Sequence, residues 1–187
     1  MKRLVVMTVG KTHSGKTTFA EVLEKELLNS VVIDQDNHAE FLHTHYQSLL
    51  PKQGSNTIKY AITQAIVNHA VQETTCHLIL CNSNRNRKGR LRLIEYYQNQ
   101  GFTCILVNFE LPDHVLKQRI AEGQRSTKIL RVASTFAEVL SRQQVETNTG
   151  DIIVPTEDEA EHLFTIKSSD EIPLVIRKIV DLAVEKL

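Results

Sequence analysis

The sequence predicts an α/β protein of three layers, α/β/α, built on a five-stranded parallel sheet with a small helical lid. Three observations carry this. Short β-branched runs alternate with longer stretches whose apolar residues recur at helical spacing. The first run leads into Gly10-Lys11-Thr12-His13-Ser14-Gly15-Lys16-Thr17, which fits G-x-x-x-x-G-K-[ST], the phosphate-binding loop. A helix-patterned stretch then follows at once. Strand, glycine loop, helix is the order that motif needs, so the expected fold is of the P-loop NTPase type.

Each element can be justified in turn. Arg3 to Val9, R-L-V-V-M-T-V, is too short for a helix and reads as a buried strand. After the loop, Phe19, Val22, Leu23, Leu27 and Leu28 recur with Glu21, Glu24, Lys25 and Glu26 between them, a helix. Ser30 to Asp34, S-V-V-I-D, is a second strand. Asp36 to Leu50 reads as partly helical, broken by Pro51, Gly54 and Ser55. Thr57 to Glu73 is a helix carrying Ile58, Ala61, Ile62, Ala65, Ile66 and Ala70. His77 to Cys81 is the third strand, Lys88 to Gln100 a helix ended by Gly101, and Thr103 to Phe109 the fourth strand. Pro112 opens a helix that Gly123 stops. The basic stretch Arg125 to Arg131 leads into a helix through about Val145. Gly150 to Glu161 is an acidic loop around Pro155, and Leu163 to Lys167 is a fifth strand. Asp170 to Leu187 is an amphipathic closing helix with Asp170 as its N-cap. One domain over residues 1–187 is expected, with the lid at about 119–131.

Composition excludes several classes. Lys plus Arg and Asp plus Glu number 22 each, so there is no global basic field to hold long nucleic acid. The apolar runs are strand-sized, so no membrane span is expected, and the start M-K-R-L-V-V-M-T-V-G-K does not read as a signal peptide. Cys76, Cys81 and Cys104, an odd number in or beside apolar runs, suggest reduced thiols in a cytoplasm. His38, His43 and His45 lie close together but lack the i, i+4 pairing of a helical zinc site. Tyr96 and Tyr97 read as packing residues on a helix.

Ligands on a parallel sheet sit beyond the carboxyl ends of the strands, so chemistry is sought there. In the first such segment Gly10 lets the chain turn off the strand, and Gly15 lets backbone approach a phosphate. Successive amides from Gly10 to Thr18 then face the anion, with a helix N-terminus behind it. Lys11 and His13 are expected to contribute backbone only. Lys16 should reach the β- and γ-phosphates of ATP, and the Thr17 hydroxyl should ligate Mg²⁺. In the second segment, V-I-D-Q-D-N-H, Asp36 can orient an acceptor hydroxyl and take its proton, although it could also simply cap the next helix. Asp34 beside it is a substrate-binding candidate. In the third, N-S-N-R-N-R-K-G-R, Asn82 stands where many phosphate-loop proteins carry an acid. Asn84 is a further substrate-binding candidate there. The basic run Arg85, Arg87, Lys88, Arg90 and Arg92 reads either as an anion site or as a solvated helical turn. In the fourth, Arg119 and Arg125 flank Gly123, with Arg131 beyond. Both suit a lid that stabilises charge on a transferring phosphoryl group, the alternative being surface charge on two helices. No N-K-x-D segment follows the fourth strand, which argues against guanine specificity.

These segments together resemble the polynucleotide 5′-hydroxyl kinase group of phosphate-loop kinases, which includes zeta-toxin-like proteins. The resemblance rests on the loop, on Asp36 after the second strand, on I-L-C-N-S-N-R-N after the third, on R-S-T-K in the lid and on P-T-E-D-E-A-E-H-L-F-T-I before the last strand. It implies that Asp36 is a general base. It departs at Asn82, which replaces an aspartate, and at His38 and Ala39, where the family often has an arginine gripping a nucleic-acid phosphate. With few aromatics for base stacking, that argues against a nucleic-acid acceptor. The expected activity is transfer of the ATP γ-phosphoryl group to a hydroxyl of a small metabolite or nucleoside. The alternatives are an ATPase-type switch and a kinase of nucleic-acid 5′ ends.

Overall fold

A computed structural model describes residues 3–123, 125–130, 133–147 and 149–184. Five strands form one parallel sheet in the order β2-β3-β1-β4-β5. They are β1 (Leu4–Gly10), β2 (Ser30–Asp34), β3 (His77–Cys81), β4 (Thr103–Phe109) and β5 (His162–Ile166). The helices are α1 (Lys16–Glu26), α2 (Gln35–His45), α3 (Thr57–Glu73), α4 (Arg87–Asn99), α5 (Asp113–Glu122), α6 (Phe136–Glu146) and α7 (Ile172–Val184). Single 3₁₀ turns lie at Gln47–Leu49, Thr127–Ile129 and Ser169–Glu171.

The central strand explains the layers. β1 is buried along its whole length and pairs with β4 over seven residues, from Leu4↔Thr103 to Gly10↔Phe109. Strand residues alternate between faces. Leu4 and Val6 pack with Phe19 and Leu23 of α1, Leu116 of α5, and Ile176 and Ile179 of α7. Val5 and Met7 pack on the opposite side with Val67 and Val71 of α3 and Ile94 and Tyr97 of α4. Both faces of the sheet are therefore covered, which is why its strands read as unbroken apolar runs.

The predicted elements are present, with local corrections. β1 and β5 each lie one residue from their expected bounds, and α4 starts at Arg87. The lid stretch 125–131 forms only the 3₁₀ turn before α6 begins at Phe136, and Arg131 lies outside the described residues. Asp36 does not cap α2. Asp34 does, its carboxylate accepting from Asp36 N at 2.8 Å. Asp170 is not the cap before α7 either. Ser168 caps the preceding 3₁₀ turn, in a reciprocal box with Glu171.

The basic run after β3 is a structural clamp, neither an anion site nor a solvated turn at three of its five positions. Arg90 is 1% exposed and grips Glu159 with Nε at 2.7 Å and Nη2 at 2.9 Å. Its remaining donors serve the carbonyls of Asn84, Arg85 and Ile153. Arg87 reaches the same carboxylate at 3.2 Å, and Arg85 faces Glu146 at 3.6 Å. Lys88 and Arg92 are exposed. Burial by itself would push the Glu159 carboxyl up, but the Arg90 fork outweighs it and holds it below the usual range. This clamp fastens the acidic loop to the start of α4, beside the strand ends. Removing one partner of a buried pair leaves an uncompensated charge, so Glu159→Ala should cost about 3–5 kcal/mol. The check is thermal unfolding, where the midpoint should fall by roughly 10 °C.

Candidate functional site

The carboxyl ends of β1, β2 and β3 open into a cleft of about 1430 Å³. Its floor is the glycine loop. Gly10 has φ 154°, and a Cβ there would come within 3.0 Å of both Phe109 Cβ and Ser14 Oγ. Gly15 has φ 96°, and a Cβ there would meet Arg119 Nη1 at 3.4 Å. A side chain at either position would be strained by its backbone conformation, and at Gly10 it would be crowded as well. Gly10 N donates to Ser83 O at 3.0 Å, and Thr8 Oγ1 to Asn82 O at 2.9 Å, so the loop's entry is stitched to the segment after β3. Asn84 adds its amide on Thr8 O at 2.9 Å. This substrate-binding candidate thus holds the wall of the cleft with the nitrogen of its side chain.

Lys16 lies over the loop. Its Nζ donates to Lys11 O at 2.5 Å and to Ser14 Oγ at 3.2 Å. Burial lowers its pKa to about 8. The Lys11 side chain is turned away to Asp113 of α5 at 2.7 Å, consistent with a backbone role for that residue in the loop. His13 sits edge-on to Phe136 with ring centroids 4.7 Å apart. Burial and then the cations Arg125, Lys16 and Arg119 lower its pKa, so it is neutral at pH 7.

Thr17 Oγ1 and Asp34 Oδ2 are 3.5 Å apart at the start of α1. Asp34 is buried here, beside the loop, whereas Asp36 lies half-exposed in the cleft. Two hard oxygen donors facing a phosphate site suit Mg²⁺, which binds through one or two such groups and keeps waters and phosphate oxygens as its other ligands. The donor set fits that ion, which Thr17 and Asp34 would hold. Cys81, level with Asp34 in the β2–β3 register, donates its thiol to Thr17 Oγ1 at 3.7 Å. Burial pushes that thiol up to about 12, so it adds no charge beside the threonine.

Two arginines, Arg119 of α5 and Arg125 in the stretch after it, line the same cleft. Arg125 Nη2 meets Asp36 Oδ2 at 2.6 Å, and its guanidinium lies over the Phe136 ring at 5.2 Å. Arg119 donates to His13 O at 3.2 Å and to Ser169 Oγ at 2.7 Å, joining the loop to the approach to α7. The 3₁₀ turn of the lid packs on α2, the helix that carries Asp36. The structure thus gathers Lys16, Thr17, Asp34, Asp36, Asn84, Arg119 and Arg125 around one cleft, which no two of these segments could do from sequence proximity. One participant was not singled out in the sequence. Gln143 of α6 accepts from Thr12 N at 2.8 Å through Oε1. A lone glutamine on an amphipathic helix carries no signal that could have found it.

The AAA domain family model matches residues 5–146, which span the loop, Asp36, the segment after β3 and the lid. The chain belongs to the AAA domain family. The match bears out the resemblance to phosphate-loop kinases drawn from the sequence motifs. Among solved structures, this AAA domain is similar to a candidate kinase from Chloroflexus aurantiacus, at 17% identity over 99% of this chain and 98% of that one, with TM-score 0.67. Kti12 from Chaetomium thermophilum, in complex with ADP-AlF3, is 16% identical over 95% and 97%, with TM-score 0.64. The APS kinase CysC of Mycobacterium tuberculosis, in complex with AMPPNP and APS, is 16% identical over 97% and 98%, with TM-score 0.56. At these identities the likeness is one of fold, the α/β P-loop kinase-like fold. No curated protein matches the AAA domain of this chain. No helix among the described residues is long and apolar enough to cross a membrane.

The Lys16 environment sets a pH dependence. The lysine is charged at pH 7 and loses its proton as pH rises through about 8. Phosphate oxygens require the ammonium, so Mg·ATP binding should weaken above that point by up to about tenfold per pH unit. Calorimetry at pH 7 to 9.5 should also show proton uptake on binding, and Lys16→Ala should remove it.

Proposed function

We propose that this chain transfers the γ-phosphoryl group of ATP to a hydroxyl of a small metabolite or nucleoside. The observation that carries the reading is the pairing of Asp36 with Arg125 at 2.6 Å, in the cleft floored by the loop and Lys16. A carboxylate without its own fixed role in the fold stands where an acceptor would lie. A partly exposed cation, Arg125, is held on it and could exchange partners. The pair is too exposed to stabilise the fold by much, which leaves it available for chemistry.

In this reading, Lys16 and the loop amides up to Thr18 bind the triphosphate, except those of Gly10 and Thr12, which donate to Ser83 O and Gln143 Oε1. Mg²⁺ supplies neutralisation of β- and γ-phosphate charge, with Thr17 and Asp34 as its protein contacts. Arg125 leaves Asp36 for the transferring group, and Arg119 keeps the loop and lid in register. Asp36 then takes the proton of the acceptor hydroxyl. The acceptor oxygen bonds to the γ-phosphorus as the bond from that phosphorus to the β-bridging oxygen breaks, and ADP leaves. Positioning and charge stabilisation do the catalytic work.

An APS kinase that holds AMPPNP and APS on this fold supports a small acceptor. So does zero net charge, since phosphate-backbone binding draws on many cations. No disulfide joins Cys76, Cys81 and Cys104, in keeping with a cytoplasmic setting. One sheet between two apolar cores supports a single domain, with the lid at about 119–131. A nucleotide-dependent switch is the second reading. It is favoured by the neutral residues Cys81 and Asn82 at the end of β3, where an acid would strengthen metal handling. Incubation with ATP and a pool of hydroxylated metabolites separates the two. A phosphorylated product supports the kinase, and slow hydrolysis without one supports the switch. A labelled oligonucleotide 5′ end would instead point to nucleic acid. Asp36→Asn should abolish transfer while ATP still binds, and unchanged turnover would remove Asp36 as the base. Arg125→Ala should lower kcat by roughly 10³-fold or more with little change in unfolding temperature.

A further inference from the structure

The peptide unit joining Lys11 to Thr12 is held at both of its polar ends. Its carbonyl accepts from Lys16 Nζ at 2.5 Å, and its N–H donates to Gln143 Oε1 at 2.8 Å. The lysine of this motif serves the β- and γ-phosphates, so its contact marks the terminal-phosphate end of the loop. The Lys11–Thr12 peptide therefore lies at that end, and Gln143 stands across it from the Lys16 ammonium, because the C=O and N–H of a trans peptide point in opposite directions.

The orientation of its amide follows from the partner. A backbone N–H can only donate, so the oxygen of the carboxamide must face Thr12 and the NH₂ must face away from it. Gln143 lines the cleft. Its main chain is fixed as well, because Arg85 Nη2 donates to Gln143 O at 2.6 Å and to Thr147 Oγ1 at 3.0 Å. A rigid helix end thus presents a neutral donor pair beside the place where a γ-phosphate would lie.

We propose that Gln143 donates through Nε2 to the terminal phosphate and makes the site distinguish a nucleoside triphosphate from a diphosphate. The inference rests on the nucleotide-binding reading of the loop but not on any acceptor. Its chemistry is that of a preset hydrogen-bond donor, which loses nothing in ordering when the phosphate arrives. Phe136, which His13 meets edge-on and which underlies Arg125, is on the same helix, so a contact at Gln143 also steadies the platform of that arginine.

Calorimetry with Mg·AMPPNP and Mg·ADP on the parent, Gln143→Ala and Gln143→Glu tests this, with unfolding temperature measured alongside. Gln143→Ala should weaken AMPPNP roughly tenfold and leave ADP within about twofold, as for loss of one hydrogen bond to a charged group. Gln143→Glu keeps an acceptor for Thr12 N and should keep the unfolding temperature. It loses the donor and adds a negative charge, so AMPPNP should weaken further while ADP changes less. Equal losses on both nucleotides, or no loss on either, would overturn the proposal. Tighter AMPPNP binding by Gln143→Ala would overturn it too, because the carboxamide oxygen would then be occupying a phosphate's place on Thr12 N. A parent that binds neither nucleotide would instead bring down the reading of the loop itself, and this inference with it.

Discussion

Gly10 sits where the central strand must turn, between the Cβ of Phe109 and the hydroxyl of Ser14, and a methyl group there would press on both at 3.0 Å. The rest of the cleft is built outward from that close approach. Because β1 ends there, the turn lies level with the end of β4, its partner along the full strand. Because the chain reverses within so few atoms, Lys16 opens α1 directly over the turn and its ammonium falls back onto Lys11 O. A wider turn would separate those groups and leave the amides pointing in different directions.

Charge in this molecule is divided between scaffold and cleft. Arg85, Arg87 and Arg90 are committed to Glu146 and Glu159 or to backbone carbonyls, and they fix the segment after β3 against α4, α6 and the acidic loop. The cleft is lined by the cations Lys16, Arg119 and Arg125 and the carboxylates Asp34 and Asp36. Buried arginine needs a full complement of acceptors, and a bidentate carboxylate with surrounding carbonyls provides it. That requirement distinguishes the scaffold arginines from the lid arginines, one of which, Arg125, has only a half-exposed carboxylate and a ring beneath it.

Helices α5 and α6 are joined to the loop at several points. Thr12 N meets Gln143, His13 meets Phe136, and His13 O meets Arg119. Any ligand that changes the loop therefore acts on α5 and α6 as well, through contacts rather than through distance. The 3₁₀ turn between them packs against α2, where Asp36 lies in the first turn. Nucleotide and acceptor sites would communicate by that short route.

The order of elements, the parallel sheet and the phosphate loop were legible in the sequence. Strand-sized apolar runs, helical spacing and glycine placement are local signals, and local sterics enforce them; β2, α3, β3 and β4 have the expected bounds for that reason. Capping was legible only as a class of residue, since Asp34 and Ser168 cap where Asp36 and Asp170 compete for the same turns. The fates of Arg90 and Gln143 were not legible. Their partners, Glu159 and Thr12, lie 69 and 131 residues away in the chain. The sequence by itself determined which secondary elements form and where an anion can be wrapped, because those depend on neighbours within a few residues. Only the tertiary structure decided which charges are used up in holding the scaffold and which face the cleft, because pairing depends on which distant side chains the sheet brings within reach.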